Sequence, residues 1–417
     1  MRILHVSWEY PPIVYGGLGR HVHALAEEQA RQGHDVWVLT QQPPSAPAHE
    51  VIAGVTVVRV QPVEPEVPRE PQALVDWVRG LDAAMASAAR EVVAASEPQV
   101  VHAHDWVVTA TARAATIASG APLVTTLHAT EAGRHQGWIS GPISTEIHIA
   151  EYRLAQLSQR VITCSTRMAA DAAALFAVPA SRIDVIPNGI DLARWSVAPE
   201  DEEAARRRWG PRGPLVVFVG RLEWEKGVHT LVDAVSRMST PDVHVVIAGT
   251  GTYESELVAQ ASALIEDERI IFTGWLPAAE LLGLQAAADV IVVPSLYEPF
   301  GLVALEAGAL GVPVVVADTG GLGDIVDHGR VGFIFPAGDS VALAHELDRA
   351  LGDVPGRAHR LATLRTRIVA NYQWDRIAEA TTTTYLRAEQ ERRTDPRPTE
   401  VATPVIAAAN LLATTRS

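Results

Sequence analysis

The chain carries one cysteine, Cys164, in 417 residues. That excludes an internal disulfide framework and any multi-cysteine metal site. Lysine is as scarce: Lys226 is the only one among 34 Lys and Arg residues. The arginine excess reads as coding bias, which draws attention to the one place where lysine persists. Base is short of acid, 34 against 49 Asp and Glu, for a net charge of −15. A chain so acidic lacks the basic stripe that a dedicated nucleic-acid binder needs to displace counterions. No apolar run approaches the ~20 residues required to span a bilayer, and the opening MRILHVSWEY, broken by His5 and Glu9, is not expected to act as a secretory leader. No Asp-x-Asp tripeptide occurs. What is present, 48% hydrophobic and 20% charged residues, suits a globular protein with a sizeable core. At roughly 150 residues per domain the length implies two to three domains. The expectation is a cytoplasmic, multidomain protein without nucleic-acid or integral-membrane association.

Short β-branched runs alternate with longer amphipathic stretches. Arg2–Val6, His34–Leu39, Val55–Val60, Gln99–His102, Leu123–Leu127, Arg160–Thr163 and Arg182–Ile186 read as buried strands. Helical patterns at Leu18–Arg31, Gln72–Ala95 and Thr145–Leu157 lie among them. A second series follows Pro214: strands at Leu215–Val219, Val243–Ala248, Ile270–Thr273, Val290–Val293 and Val312–Val316, with helices near Gly227–Met238, Glu254–Ile265, Ala279–Ala287 and Leu302–Leu310. Strands spaced by helices predict an α/β protein with parallel sheets covered on both faces. Residues 188–214 hold turn formers and the charged run DEEAARRR but no strand pattern, so the boundary is placed near residue 195. The expected layout is a first domain over 1–195, a second over 196–370, a helix at 371–391 returning to the first with a hinge at Asn371–Trp374, and a frayed tail at 392–417. Gln61–Pro71 reads as a surface loop. Two such domains are expected to enclose a cleft at the carboxyl ends of their strands.

The loops after the strands carry the chemistry. Gly16-Gly17-Leu18-Gly19 opens a helix after the first strand; glycines allow close backbone approach, and a helix start offers N–H groups to an anion. The spacing is not that of a dinucleotide fingerprint, and the next strand ends at Thr40 rather than an acid. Gly249-Thr250-Gly251 is a second glycine turn without the third glycine. In the second series Gly220 leads into Arg221 and, five residues on, Lys226: two cations at a strand end beside a helix start suit a pyrophosphate. Solvated pairs with Glu223 and Glu225 are the bland alternative. The segment SLYEPFGLVALE places Glu298 before, and Glu306 inside, a helix beginning near Gly301. Both suit hydroxyl groups at separate points of one ligand, or the acid and base of a glycosidase. His102 and His104 alternate onto one face of a strand that ends at Asp105, so a metal is conceivable. The following strand ends at His128, with Arg134 close behind.

Taken together, GGLGRH, HAHDW, TLHATEAGR, IPNGID, VGRLEWEKG, EPFGLVALE, GGLGDIV and NYQWDRIA resemble the retaining glycosyltransferases of family 4, over Met1 to about Leu386. The Glu298/Glu306 pair fits their E-x7-E signature, and the N-terminal segment is most similar to actinobacterial glycogen-synthase-like α-1,4-glucosyltransferases of glucan and methylglucose lipopolysaccharide assembly. The resemblance implies the GT-B fold, two Rossmann-like doubly wound domains. It also implies transfer of α-glucose from UDP-glucose or ADP-glucose to the non-reducing end of an α-glucan, or to a glucosylated lipid or glycerate acceptor, without a metal or other cofactor. By the same resemblance, Gly16, Gly17 and Leu18 approach the donor phosphates with Gly220, while Arg221 and Lys226 grip the pyrophosphate. Glu306 holds the ribose, and Glu298 the transferred sugar. Phe300, Gly301, Leu302 and Val303 supply backbone N–H groups. His128 and Asp105 line the sugar site, and Arg134 and Asn188 lie on the acceptor side. Another hexose or acceptor, a nucleotide-sugar epimerase or hydrolase, a dehydrogenase and a non-catalytic carbohydrate binder are the competing readings.

Overall fold

The computed structural model describes residues 1–404 apart from 65, 69, 211, 212, 265–268 and 403. The chain divides into two compact units, Met1–Gly189 with Trp374–Ser417, and Ile190–Gln373.

The first unit is built on β1 (Arg2–Val6), β2 (Asp35–Gln41), β3 (His49–Ile52), β4 (Val55–Val60), β5 (Val100–His104), β6 (Leu123–Leu127), β7 (Arg160–Thr163) and β8 (Ile183–Val185). Its helices are α1 (Gly17–Arg31), α2 (Pro71–Ser96), α3 (Thr109–Ser119), α4 (Glu131–Arg134), α5 (Gly141–Leu157) and α6 (Thr166–Phe176). The sheet runs β3-β4-β2-β1-β5-β6-β7-β8 and is parallel except for the β3–β4 hairpin. Strands covered on both faces read as near-continuous apolar runs, and the two-residue period of β1 shows why. Leu4 and Val6 pack with Leu81 and Met85 of α2, whereas Ile3 packs on the other face with Val22 and Ala26 of α1.

The second unit contains α7 (Pro199–Trp209), β9 (Leu215–Val219), α8 (Val228–Val235), β10 (His244–Ala248), α9 (Glu254–Leu264), β11 (Ile270–Gly274), α10 (Ala278–Ala286), β12 (Val290–Val293), α11 (Leu302–Leu310), β13 (Val314–Ala317), α12 (Leu322–Ile325), β14 (Phe333–Phe335), α13 (Ser340–Gly352) and α14 (Val354–Asn371). Its sheet has the order β11-β10-β9-β12-β13-β14, with Val216 and Phe218 in a core shared with Leu231, Leu257 and Leu347. The strand order reverses between β1 and β5 in the first unit, and between β9 and β12 in the second. Loops leaving the carboxyl ends of strands diverge at such a reversal and leave a crevice there.

Several expectations change. Residues 190–195 group with the second unit rather than the first, and so do 371–373; the last helix, α15, spans Trp374–Thr394 and belongs to the first unit. The expected strandless linker contains α7, whose Pro199 at its start, acids in the first turn and Arg206–Arg208 in the last turn complement the helix dipole. The tail expected from 392 is helical to Thr394, and beyond it Arg113 pairs with Glu400 while Val401 packs on the first unit's core; residues 405–417 lie outside the described residues. β3 and β14 were not expected.

Arg160, with its side chain 5% exposed, joins α15 to the sheet. Its guanidinium lies 2.5 Å from Asp184 and 2.5 Å from Glu391, and Arg387 and Thr384 of α15 also bond Asp184. Asp184 keeps Arg387 and Thr384 when Arg160 is removed, and Glu391 is 38% exposed, so Arg160→Met is expected to lower the unfolding free energy by about 1–2 kcal/mol. Urea denaturation followed by circular dichroism checks this.

Candidate functional site

In the second unit the loops after β9 and β12 are bound to each other. Gly227, at φ +66°, sits so close to the next loop that a Cβ would meet the Pro294 carbonyl oxygen at 2.0 Å, so only glycine fits. The N–H groups of Leu296 and Tyr297 donate to the Glu225 carbonyl, at 2.8 and 3.3 Å. This places the Lys226 Nζ 2.7 Å from Glu298 Oε2, with the side chains 19% and 17% exposed. The Ser295 hydroxyl donates to the same oxygen at 3.3 Å. The glycine after β13, Gly320 at φ +54°, lies against the Glu298 carbonyl, fixing Glu298 from a third loop. Arg221, 57% exposed, is loosely paired with Glu225 at 3.4 Å, and the N–H of Gly220 is bonded to Ala248.

Beside this pair α11 begins at Leu302, after Gly301 at φ +107°, with no side-chain cap. An uncapped start leaves N–H groups of the first turn, those of Leu302 and Val303 among them, and the positive end of the helix dipole for an anion. Phe300 is buried, its ring 6.0 Å from that of Tyr372, so it can offer a ligand only its backbone. Glu306 is buried on α11 and accepts a hydrogen bond from Gln285 of α10 at 3.2 Å. Gln285 went unread in the sequence, because no motif marks an amide 21 residues before its partner.

The first unit holds its own set. Glu9, 4% exposed, accepts from the N–H groups of Tyr15 at 2.7 Å and Gly16 at 3.2 Å. Burial raises its carboxyl above the usual range, opposed by these N–H groups and that of Gly19. The N–H of Gly16, a residue expected to approach the donor phosphates, donates here to a carboxylate of the chain itself. Gly17 and Leu18 follow as the half-buried first residues of α1. Glu9 was read only as a break in an apolar run.

Across the β1/β5 reversal lies a cluster of imidazoles. His5 of β1 contacts His104 (Nδ1 to Nε2, 3.1 Å), and His104 contacts His128 (Nδ1 to Nε2, 3.2 Å). His102 packs on His104 at a centroid distance of 4.2 Å, as their alternation predicts, but its nitrogens are engaged by Tyr385 and Thr126. His21 bonds the Asn188 amide oxygen at 2.8 Å, so Asn188, assigned to the acceptor side, is buried and its oxygen is taken. Ring nitrogens of His21, His104 and His128 lie within 4.8 Å of one another, a donor set that a divalent transition metal could draw on. Burial pushes the pKa of His5 and of His21 down to about 4, and holds His102, His104 and His128 well below the usual value. All are neutral at pH 7.

Asp105 stands at φ +60°, a conformation that non-glycine residues adopt mainly where surroundings enforce it. Its carboxylate accepts the His128 N–H at 2.7 Å. Burial raises its pKa to about 7, against the pull of the His128 and Ala129 N–H groups and of Arg134. The structure therefore brings Asp105 and His128 together at adjacent strand ends, with Arg134 exposed on α4 nearby in sequence.

Two doubly wound sheets with charged and glycine-rich loops at their reversal points are the ingredients of the GT-B fold. Comparison agrees. A profile described as "Glycosyltransferase Family 4" matches residues 15–194, and one described as "Glycosyl transferases group 1" matches residues 200–363. The chain is 41% identical to the glycogen synthase of Mycobacterium tuberculosis, over 95% of this chain and 97% of that one. It is 31% identical to the alpha-maltose-1-phosphate synthase of Mycolicibacterium smegmatis, over 92% of this chain and 99% of that one. A solved sucrose-phosphate synthase from Thermosynechococcus elongatus superposes with a TM-score of 0.76 at 24% identity, covering 93% of this chain and 99% of that one. The chain belongs to this family of glycosyltransferases and is glycogen-synthase-like. No helix among the described residues is long and apolar enough to cross a membrane.

The buried imidazoles set the stability profile. Their folded pKa values lie below the unfolded value of 6.5, so between about pH 6.5 and 4 the unfolded chain binds more protons and stability falls on acidification. The slope is roughly 1.4 kcal/mol per pH unit for each histidine held neutral. Asp105, raised to about 7, works in the opposite direction between pH 3.8 and 7, as do Glu9, Asp82 and Glu151, which burial also raises, but the five clustered histidines are joined on their side by His34 and His229. The melting temperature is expected to drop from pH 7 to 5, measured by calorimetry; a melting temperature that rises over this range contradicts a neutral, buried cluster.

Proposed function

We propose that the protein is a retaining α-glucosyltransferase that moves glucose from UDP-glucose or ADP-glucose to the non-reducing end of an α-1,4-glucan or related glucosyl acceptor. The observation that carries the reading is the Lys226–Glu298 pair beside the uncapped start of α11. A nucleoside diphosphate needs cations and N–H groups in one place; a sugar needs a nearby acceptor for its hydroxyls.

On this reading Lys226, Arg221 and the Leu302 and Val303 N–H groups take the charge that grows on the departing diphosphate, and the reaction is written without a metal. Glu298 accepts from hydroxyls of the transferred sugar and Glu306 from those of the ribose. Gly220 allows backbone approach, as do Gly17 and Leu18 in the first unit. His128 and Asp105 take the sugar, whose oxocarbenium-like charge is stabilised by carbonyl and carboxylate oxygens. The acceptor hydroxyl attacks C1 on the face that the diphosphate leaves; the C1–O bond to phosphate breaks, the new glycosidic bond forms and the hydroxyl proton passes to a phosphate oxygen. Configuration is retained. Support comes from the identity to a glycogen synthase over nearly the whole chain. The relative named alpha-maltose-1-phosphate synthase favours, as a second reading, an acceptor that yields a phosphorylated disaccharide.

Nucleotide release is measured with each donor, with and without maltooligosaccharide or glucose 1-phosphate. Release that requires maltooligosaccharide is expected; release that requires glucose 1-phosphate selects the second reading, and release indifferent to acceptor contradicts both. Lys226→Ala is expected to lower kcat about 10²- to 10³-fold in a variant that still folds but melts at a lower temperature, because Glu298 loses its partner. Wild-type kcat in that variant removes the assigned role.

A further inference from the structure

Within the first unit the imidazoles form one hydrogen-bonded chain with Gln29 of α1 and Tyr385 of α15. The Gln29 Nε2 donates to the Tyr385 hydroxyl at 3.2 Å, and the Gln29 Oε1 faces His5 Nε2 at 2.8 Å. His5 Nδ1 then meets His104 Nε2 at 3.1 Å, and His104 Nδ1 meets His128 Nε2 at 3.2 Å. All but His128 are fully buried or nearly so; His128 is half-buried. A neutral imidazole has one donor and one acceptor nitrogen, so the direction set at one end propagates. The Gln29 oxygen can only accept, so His5 carries its proton on Nε2. Its bare Nδ1 accepts from His104 Nε2–H, and the bare Nδ1 of His104 accepts from His128 Nε2–H. His128 is left with an unprotonated Nδ1. The Tyr385 hydroxyl, already accepting from Gln29, sends its own proton to His102 Nδ1 at 2.7 Å, and His102 Nε2–H goes to Thr126 at 2.8 Å.

We infer that Gln29 and Tyr385 are positioning residues that fix His128 as its Nε2–H tautomer, through His5 and His104, so that Nδ1 is presented to the ligand as a hydrogen-bond acceptor. The low pKa values given above keep each ring singly protonated, as the chain requires. The functional part rests on reading His128 as a sugar-contacting residue: a bare nitrogen there selects a hydroxyl that can donate, and an amide turned the other way reverses every proton and presents a donor instead. The terminal helix thereby acts on the chemistry through a hydroxyl 257 positions along the chain from His128, without touching the sugar.

The test is long-range ¹H–¹⁵N correlation on protein labelled in its histidines, with His128 assigned by its loss in His128→Gln. An Nε2–H pattern for His128 at pH 7.5 is expected; an Nδ1–H pattern overturns the inference without any further variant. In Gln29→Met and in Tyr385→Phe the His128 signals are expected to move toward a mixture of tautomers, with kcat about tenfold lower and donor KM within twofold, at melting temperatures that show both variants folded. A folded variant with unchanged His128 nitrogen shifts overturns the relay. If the shifts change as expected but the wild-type protein transfers no glucose, the relay stands and the functional reading fails.

Discussion

The second unit's candidate site depends on one ion pair. Lys226 and Glu298 stand on loops after β9 and β12, on either side of the point where the strand order reverses. Each is mostly sheltered from water, and a sheltered charge without a partner costs several kcal/mol. Their pairing therefore holds the two loops together while no ligand is bound. On the proposed function, a diphosphate offers Lys226 another anionic partner, and sugar hydroxyls offer Glu298 donors in place of an ammonium. The site thus exchanges one satisfied arrangement for another instead of waiting with bare charges. A lysine suits this place because its compact ammonium rotates among partners, whereas a guanidinium is a rigid fork; in a chain that otherwise uses arginine, the exception falls on the loop after β9.

The first unit handles charge by the opposite means. Its reversal point is filled with uncharged imidazoles, a carboxyl raised to about 7 and a carboxylate closed over by backbone N–H groups. Burial suppresses charge here, so that polar groups act through directional hydrogen bonds. One unit carries fixed charges at its reversal point, the other a neutral and orientable polar surface.

Much of this was legible in the sequence because parallel strands buried on both faces are written as uninterrupted β-branched runs. Leu215–Val219, Val290–Val293 and Leu123–Leu127 have the bounds their composition implies. The strand β3 was missed because it is largely exposed and carries His49 and Glu50 in place of an apolar run, although Ala53 and Gly54, both at positive φ, mark the β3–β4 turn; β14, only three residues long, was missed as well. The helix α7 was legible in its charges and was passed over for want of apolar residues. Among the candidate residues, Lys226, Glu298, Asp105 and His128 could be picked by their place after strands and by type, and Glu306 by its place on a helix. Those that hold them in place could not. Glu9, Gln29, Gln285 and Tyr385 act on partners brought close only by the fold, and Gly16 and Asn188 have hydrogen bonds within the chain that no motif announces.

The central claim is retention at the transferred glucose. An NMR time course of the purified protein with UDP-glucose or ADP-glucose and a short maltooligosaccharide reads it directly, from the anomeric coupling of the first new linkage. The account predicts an α-1,4 linkage that appears only with acceptor, in step with nucleoside diphosphate. A β-linked product, or free glucose without a new linkage, contradicts it.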